Sequence, residues 1–248
     1  MQFTYDGYKF LLKMLVANEY KIVGYDEYQA FDSCAILRHD IDYSLEKAVE
    51  ISKVESELWK SIEGKSTFFI MISHELYNSF TLRAKEILQE IQSHGNEIGL
   101  HFSEHRYPEL KKHDLVEKIL MEAKILEEIA GTKISKVSMH DPSKDILDAN
   151  LEIPGMINAY SKIFFHGFKY VSDSNGKWKE PAEEYIKTKK YSRLQILTHP
   201  LWWNEEEKDV HDTLAGFING ANLERYELFV KYGFYGLEEV FSKDEVRR

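Results

Sequence analysis

Short β-branched and apolar runs alternate along the chain with longer segments in which apolar residues recur at helical spacing. The short runs predict strands at 34–42, 67–73, 97–102, 136–140, 168–172 and 194–199. The longer segments predict helices at about 5–19, 44–59, 79–93, 114–130, 156–163 and 209–232. Strands that alternate with helices are typical of a parallel sheet covered by helices. The predicted fold is therefore a closed or nearly closed (β/α) barrel, with an open doubly wound sheet as the alternative.

Acidic and histidine side chains stand where these predicted strands end. They are Asp40, Asp42, His101, His140, Asp173 and His199. The carboxyl ends of parallel strands meet at one edge of the sheet, which is where α/β proteins bind ligands and carry out chemistry. This placement predicts an enzyme whose site is built from these side chains.

The first strand carries two of the carboxylates and a guanidinium. Because side chains alternate along a strand, Arg38, Asp40 and Asp42 should share one face, with His39 on the other. Two carboxylates inside a barrel need compensating charge, which a divalent cation supplies for one and Arg38 for the other. In the alternative interpretation, Asp42 caps the helix that follows.

Two histidines, His101 and His105, lie four residues apart at the end of the third strand. Two imidazoles and one carboxylate are a common ligand set for catalytic zinc and leave one position open for water. We therefore predict that His101, His105 and one carboxylate of the first strand hold a divalent ion, Zn²⁺ in the first place, with Co²⁺ or Ni²⁺ as alternatives.

An aromatic segment follows His199. Trp202 and Trp203 offer flat apolar faces of the kind that stack on sugar rings, and the alternative is that both close the core of the barrel.

Three segments resemble, in order, the first, second and last motifs of the NodB-type polysaccharide deacetylases of carbohydrate esterase family 4. They are Arg38-His39-Asp40-Ile41-Asp42, the run from His94-Gly95-Asn96-Glu97 to His101 and His105, and Leu197-Thr198-His199-Pro200. The matching positions span about residues 36–203. The resemblance implies a distorted (β/α)7 TIM-like barrel. We expect a single domain over residues 1–248, in which the helical segment 204–248 closes the barrel or, as the alternative, faces a partner.

The resemblance also implies a reaction and the roles of residues. Asp42, His101 and His105 would hold the ion, Asp40 would be the general base, and His199 would protonate the leaving amine. The reaction would remove an N-acetyl group from an amino sugar or glycan precursor. Hydrolysis of another amide, formyl or cyclic, is one alternative, and a carbohydrate-binding barrel without turnover is another.

The sequence departs from the family pattern at the third motif, where the usual arginine is absent. Arg38 would take over its role of orienting the base. His140, in Ser138-Met139-His140-Asp141-Pro142, either replaces a family residue or lines the substrate pocket. Asp173 loosely resembles part of the fourth motif. The predicted substrate-binding residues are His140, Asp173, Trp202 and Trp203.

Composition narrows the class of partner. The net charge is −10, with 42 acidic against 32 basic residues, which argues against a nucleic-acid-binding surface. A single cysteine, Cys34, allows no internal disulfide and suits a reducing compartment. No apolar stretch reaches the length of a membrane span, and no export signal is apparent, so we expect a cytoplasmic protein that acts on a small-molecule or glycan substrate. The sequence leaves the oligomeric state open.

Overall fold

The computed structural model describes residues 1–72 and 74–246, with backbone only for Lys112 and His113. The described strands are β1 (Lys21–Ile22), β2 (Cys34–Ile41), β3 (Thr67–Ile70), β4 (Glu97–Phe102), β5 (Lys136–Met139), β6 (Ile157–Asn158), β7 (Lys169–Ser172) and β8 (Arg193–Thr198). All of their pairings are parallel, in the order β6-β5-β4-β3-β2-β8-β7, and β1 pairs with the first residues of β2.

Helices connect the strands and cover the sheet. In the first compact unit they are α1 (Tyr5–Ala17), α2 (Leu45–Trp59), α3 (Leu82–Ser93), α4 (Lys112–Ala130), α5 (Lys144–Ala149), α6 (Lys162–His166) and α7 (Ala182–Lys187). The sheet curls into a half-open barrel, and among the described residues no ladder joins β6 to β7. The predicted distorted (β/α)7 architecture is confirmed.

Helix ends follow the local chemistry of the sequence. The hydroxyl of Ser44 accepts from the backbone N–H of Lys47 at 3.2 Å, so Ser44 is the N-cap of α2. α3 ends at Ser93 with His94 as its C-cap, and the following Gly95 takes a positive φ of 87° that glycine adopts without steric cost.

The helix predicted at 156–163 is wrong. Ile157 and Asn158 instead form the short edge strand β6, and the Asn158 side chain turns the chain by accepting from the backbone N–H of Tyr160 at 2.9 Å. A two-residue strand is too short to be recognised from apolar periodicity. The pattern also missed β1, α5 and α7 for the same reason.

The outward face of β2 carries a buried polar cluster. Glu55, fully buried on α2, accepts from Tyr8 Oη at 2.6 Å and Ser66 Oγ at 2.6 Å, and it also bonds to Asn96 and His39. One carboxyl group thus joins α1, α2, β2 and the segments that precede β3 and β4.

The second compact unit begins at Glu206 and contains α8 (Val210–Leu228), a π-helical turn (Phe229–Gly233) and α9 (Leu237–Val240). That this region closes the barrel stays a prediction. Within residues 1–72 and 74–246, no helix is both long and apolar enough to cross a membrane. The expected cytoplasmic location also stays a prediction.

We expect Glu55→Leu to lower the free energy of unfolding by roughly 3–5 kcal/mol, because four buried partners lose their common acceptor. Glu57→Leu on the same helix is the matched control. Its pair with Lys9 is exposed and screened by water, so its loss should change the stability little. Urea unfolding of both variants measures the difference, and equal losses would contradict the role given to Glu55.

Candidate active site

The carboxyl end of β2 supplies charged side chains to the barrel interior. Arg38 donates from Nε to Asp40 Oδ1 at 2.9 Å and from Nη2 to Asp40 Oδ2 at 2.6 Å. His39, between them in sequence, lies on the other face and contacts Glu55 at 2.9 Å. The alternation predicted for this strand is confirmed, and it places Arg38, Asp40 and Asp42 together.

Three potential ligand atoms meet at the carboxyl edge of the sheet. Asp42 follows β2, His101 lies in β4, and His140 follows β5. Asp42 Oδ1 is 3.0 Å from His101 Nε2 and 3.2 Å from His140 Nδ1, and the two nitrogens are 3.2 Å apart. The atoms form a nearly equilateral triangle, which we call the ligand triangle.

The ligand triangle fits a divalent ion. With zinc–ligand bonds of about 2.0–2.2 Å, two atoms of a tetrahedral site lie roughly 3.3–3.6 Å apart, slightly more than the three distances here. Two imidazoles and one carboxylate are also a donor set that zinc accepts, with a fourth position open. Size and donor chemistry therefore agree.

Hydrogen bonding orients His101 and keeps Asp42 ionised in the metal-free protein. His101 Nδ1 lies 3.3 Å from the carbonyl oxygen of Ser138, so an N–H there would leave the Nε2 lone pair for the ion. Burial disfavours the charge of Asp42, but hydrogen bonds from His101 and His140 outweigh it and hold the pKa of Asp42 well below its usual range. The hydrogen bond to Asp42 raises the pKa of His140.

The structure places His105 apart from the ligand triangle. After β4 the chain turns through a 3-10 helix, Glu104–Arg106, which carries His105 outward. His105 Nε2 lies 2.9 Å from the carbonyl oxygen of Asp141, and 58% of the side chain is exposed. The predicted set of three ligands is thereby corrected at one member, because the turn after β4 directs His105 to the backbone of the loop that bears His140.

Asp40 lies beside the ligand triangle, with Oδ2 3.6 Å from His101 Nε2. Burial disfavours its charge, but the guanidinium of Arg38 outweighs this and lowers the pKa of Asp40. Arg38 is itself fully buried, donates to Ser138 Oγ, and packs against the ring of Tyr160 at 4.5 Å. Asp40 is therefore an ionised carboxylate held in a fixed orientation.

His199 approaches the other carboxylate, with Nε2 3.7 Å from Asp42 Oδ2. Its Nδ1 bonds to Asp173 Oδ1 at 2.6 Å, and its backbone N–H donates to the same carboxylate. Burial opposes the charged imidazole, but the hydrogen bond and charge of Asp173, with the charge of Asp42, raise the pKa of His199 to about 9. His199 therefore carries a proton at neutral pH.

Two of the four predicted substrate-binding residues line the pocket at this edge, which has a volume of about 470 Å³. They are His140 and Trp202. The other two predictions are corrected. Asp173 is fully buried behind His199, and Trp203 is fully buried in the core and donates from Nε1 to Asp173 at 2.9 Å. Both support His199 from behind the pocket surface.

Several side chains of this pocket were not predicted from the sequence. These are Tyr43, Tyr160, Tyr170, Asn175 and Leu197 on its wall, and Ser138 behind Asp40. Ser138 could have been found, since it lies two residues before His140 and strand alternation predicts the same face. Tyr160 lies in the segment wrongly predicted as helix, and so its pattern contained no such signal.

No family model matches the sequence, and no curated protein matches it. Solved structures do match. The carbohydrate esterase family 4 domain of a multidomain xylanase from a Trinervitermes trinervoides hindgut metagenome is 12% identical, with a TM-score of 0.43 over 83% of this chain and 93% of that one. A chitin deacetylase from Colletotrichum lindemuthianum is 10% identical, with a TM-score of 0.45 over 74% and 80%.

A third match is a family 4 pseudoenzyme from Bacillus anthracis, 13% identical, with a TM-score of 0.38 over 81% of this chain and 60% of that one. These descriptions name the family whose motifs the sequence resembles. At this level of similarity, function has to be argued from the side chains of the site.

In the metal-free protein we expect the imidazole of His199 to titrate near pH 9 and Asp173→Asn to lower its pKa towards the ordinary 6.5. The amide cannot stabilise the imidazolium as the carboxylate does. NMR titration of the imidazole nitrogens after chelator treatment measures this, with the exposed Asp148→Asn as control.

Because the folded pKa is raised, the stabilisation from protonated His199 should be complete below about pH 6.5 and lost as the pH rises through about 9. A His199 pKa that stays the same in Asp173→Asn would contradict the assignment.

Proposed function

We propose that the protein is a metal-dependent hydrolase that removes an N-acetyl group from an amino sugar or glycan precursor. The observation that carries this proposal is the ligand triangle, with Asp40 next to His101 and His199 next to Asp42. Amide hydrolysis needs one group that takes a proton from water and another that gives a proton to the leaving nitrogen. Asp40 and His199 are suited to these two roles.

Asp42, His101 and His140 would hold the ion, with Zn²⁺ as the first choice and Co²⁺ or Ni²⁺ as alternatives. A bound divalent ion supplies Lewis acidity, which polarises a carbonyl oxygen and lowers the pKa of water to about 7. This assignment keeps two of the ligands predicted from the sequence and replaces His105 by His140.

Asp40 is the general base in this proposal. Its lowered pKa keeps it ionised at neutral pH, and the two hydrogen bonds from Arg38 fix both carboxylate oxygens. The arginine that the family's third motif uses to orient the base is absent from this sequence, and Arg38 takes over that role. Asp40 accepts the proton of the attacking water, while Arg38 keeps the carboxylate from turning away.

His199 is the general acid. The carboxylate of Asp173 bonds to Nδ1, which leaves the proton on Nε2 directed towards the site. His199 gives this proton to the amine nitrogen as the carbon–nitrogen bond breaks, and so the amine leaves in neutral form. Trp203, through its bond to Asp173, keeps the carboxylate in place.

The pocket supports a sugar as the part of the substrate that carries the amide. Tyr43, Tyr160 and Trp202 contribute aromatic side chains to its wall, and aromatic faces pack against the apolar faces of sugar rings. A volume of about 470 Å³ lies within the range of small-ligand sites, roughly 300–1,000 Å³.

We expect the zinc-loaded protein to release acetate from at least one member of a panel of N-acetylated amino sugars and oligosaccharides. Asp40→Asn should reduce the rate by about 10²–10⁴-fold because the base is lost, while one equivalent of zinc stays bound. Acetate release and metal content are measured on the same samples, with Asp148→Asn as control.

Loss of zinc from Asp40→Asn would make Asp40 a ligand and contradict its role as base. No acetate release by the zinc-loaded wild type from any member of the panel would contradict the proposed reaction.

A further inference from the structure

The loop that carries His140 has an unusual backbone. His140 directly follows β5, and its backbone N–H still donates to the carbonyl of Phe102 at 2.8 Å. The next residue, Asp141, has a positive φ of 43°. Aspartate tolerates this region better than most residues, but the conformation costs free energy and persists only where surrounding contacts hold it. Such contacts should therefore exist near His140.

The turn after β4 provides them. Glu104 accepts from the backbone N–H of Ser143 at 2.5 Å through Oε1 and from Ser143 Oγ at 3.1 Å through Oε2. The neighbouring His105 contacts the carbonyl oxygen of Asp141 at 2.9 Å. Glu104 thus holds the loop at Ser143, and His105 holds it at Asp141, the residue directly after His140.

The two contacts differ in strength. Glu104 is partly buried, and both oxygens of its side chain are occupied by donors of one residue, Ser143. Hydrogen bonds to a carboxylate are charge-assisted and stronger than neutral ones. The His105 side chain is 58% exposed, so water competes for its single bond to the Asp141 carbonyl. Glu104 is the stronger of the two attachments.

We propose that Glu104 is a positioning residue, which holds His140 at the ligand triangle by fixing the loop at Ser143. His105 makes a smaller contribution through its contact with the Asp141 carbonyl. The inference rests on the proposed metal site. Strand β4 and its turn would then supply one ligand, His101, and one positioning carboxylate, Glu104. The motif spacing instead predicts two ligands here, His101 and His105. Groups that orient metal ligands typically change metal affinity by 10–100-fold.

The test is the Zn²⁺ affinity of the whole chain, measured by competition with a chromophoric chelator. Glu104→Ala should weaken binding by about 10–100-fold. Glu104→Gln keeps an oxygen that accepts from the Ser143 N–H and should be intermediate. Glu109→Ala, an exposed glutamate of the same segment, is the matched control and should bind as the wild type does.

The visible spectrum at saturating Co²⁺ separates a positioning residue from a ligand. Glu104→Ala should keep the wild-type spectrum because the three ligands are unchanged, whereas His140→Ala should alter it. Thermal unfolding of each metal-free variant is recorded in parallel. A lower unfolding temperature with unchanged Zn²⁺ affinity would show a merely structural role and overturn the proposal.

A changed Co²⁺ spectrum in Glu104→Ala would also overturn the proposal, since Glu104 would then be a ligand. If the alanine variant does not fold, Glu104→Gln alone decides, and wild-type affinity in a variant that also keeps wild-type stability would count against the role. Failure of the wild type to bind either ion would instead overturn the metal site and the proposed function.

Discussion

Two carboxylates lie near each other at the end of β2, Asp40 buried and Asp42 partly buried, and they require compensating positive charge. Most of the site follows from how that charge is supplied. Asp40 is compensated by Arg38 on the same strand face. Asp42 has no such cation on its own strand, and three histidines from other strand ends surround it instead, at 3.0 to 3.7 Å. An unpaired carboxylate withdrawn from water is costly, and the three histidines across the barrel edge supply the partners that Asp42 needs. That arrangement also suits a divalent ion.

The strand that carries this charge is held from both faces. Inside the barrel, Arg38 is enclosed by Ser138 and Tyr160, and outside it His39 joins the cluster around Glu55. β2 is also central in the sheet, between β3 and β8. In the proposed reaction this support would hold Asp40 in place, and small displacements of reacting groups cost large factors in rate.

The part of this site that lies on regular strands could be predicted from the sequence. The period of two along β2 places Arg38 with Asp40 and separates both from His39, and the strand ends indicate where Asp42, His101 and His199 meet. The part in turns could not be predicted. Four residues separate His101 from His105, but the direction of the second side chain depends on a 3-10 turn and on the left-handed conformation of Asp141. Asp173 and Trp203 lie at the predicted edge of the sheet, but behind His199 and not on the pocket surface. A strand end does not specify in which direction the following side chains point.

In the proposed metal site His140, and not His105, completes the ligand set with Asp42 and His101. Crystals grown with Zn²⁺, with diffraction data collected on both sides of the zinc absorption edge, distinguish the two histidines. We expect one anomalous peak at about 2.0–2.2 Å from Asp42 Oδ1, His101 Nε2 and His140 Nδ1, with His105 still on the Asp141 carbonyl. A peak bound by His105, with His140 outside bonding distance, would contradict it.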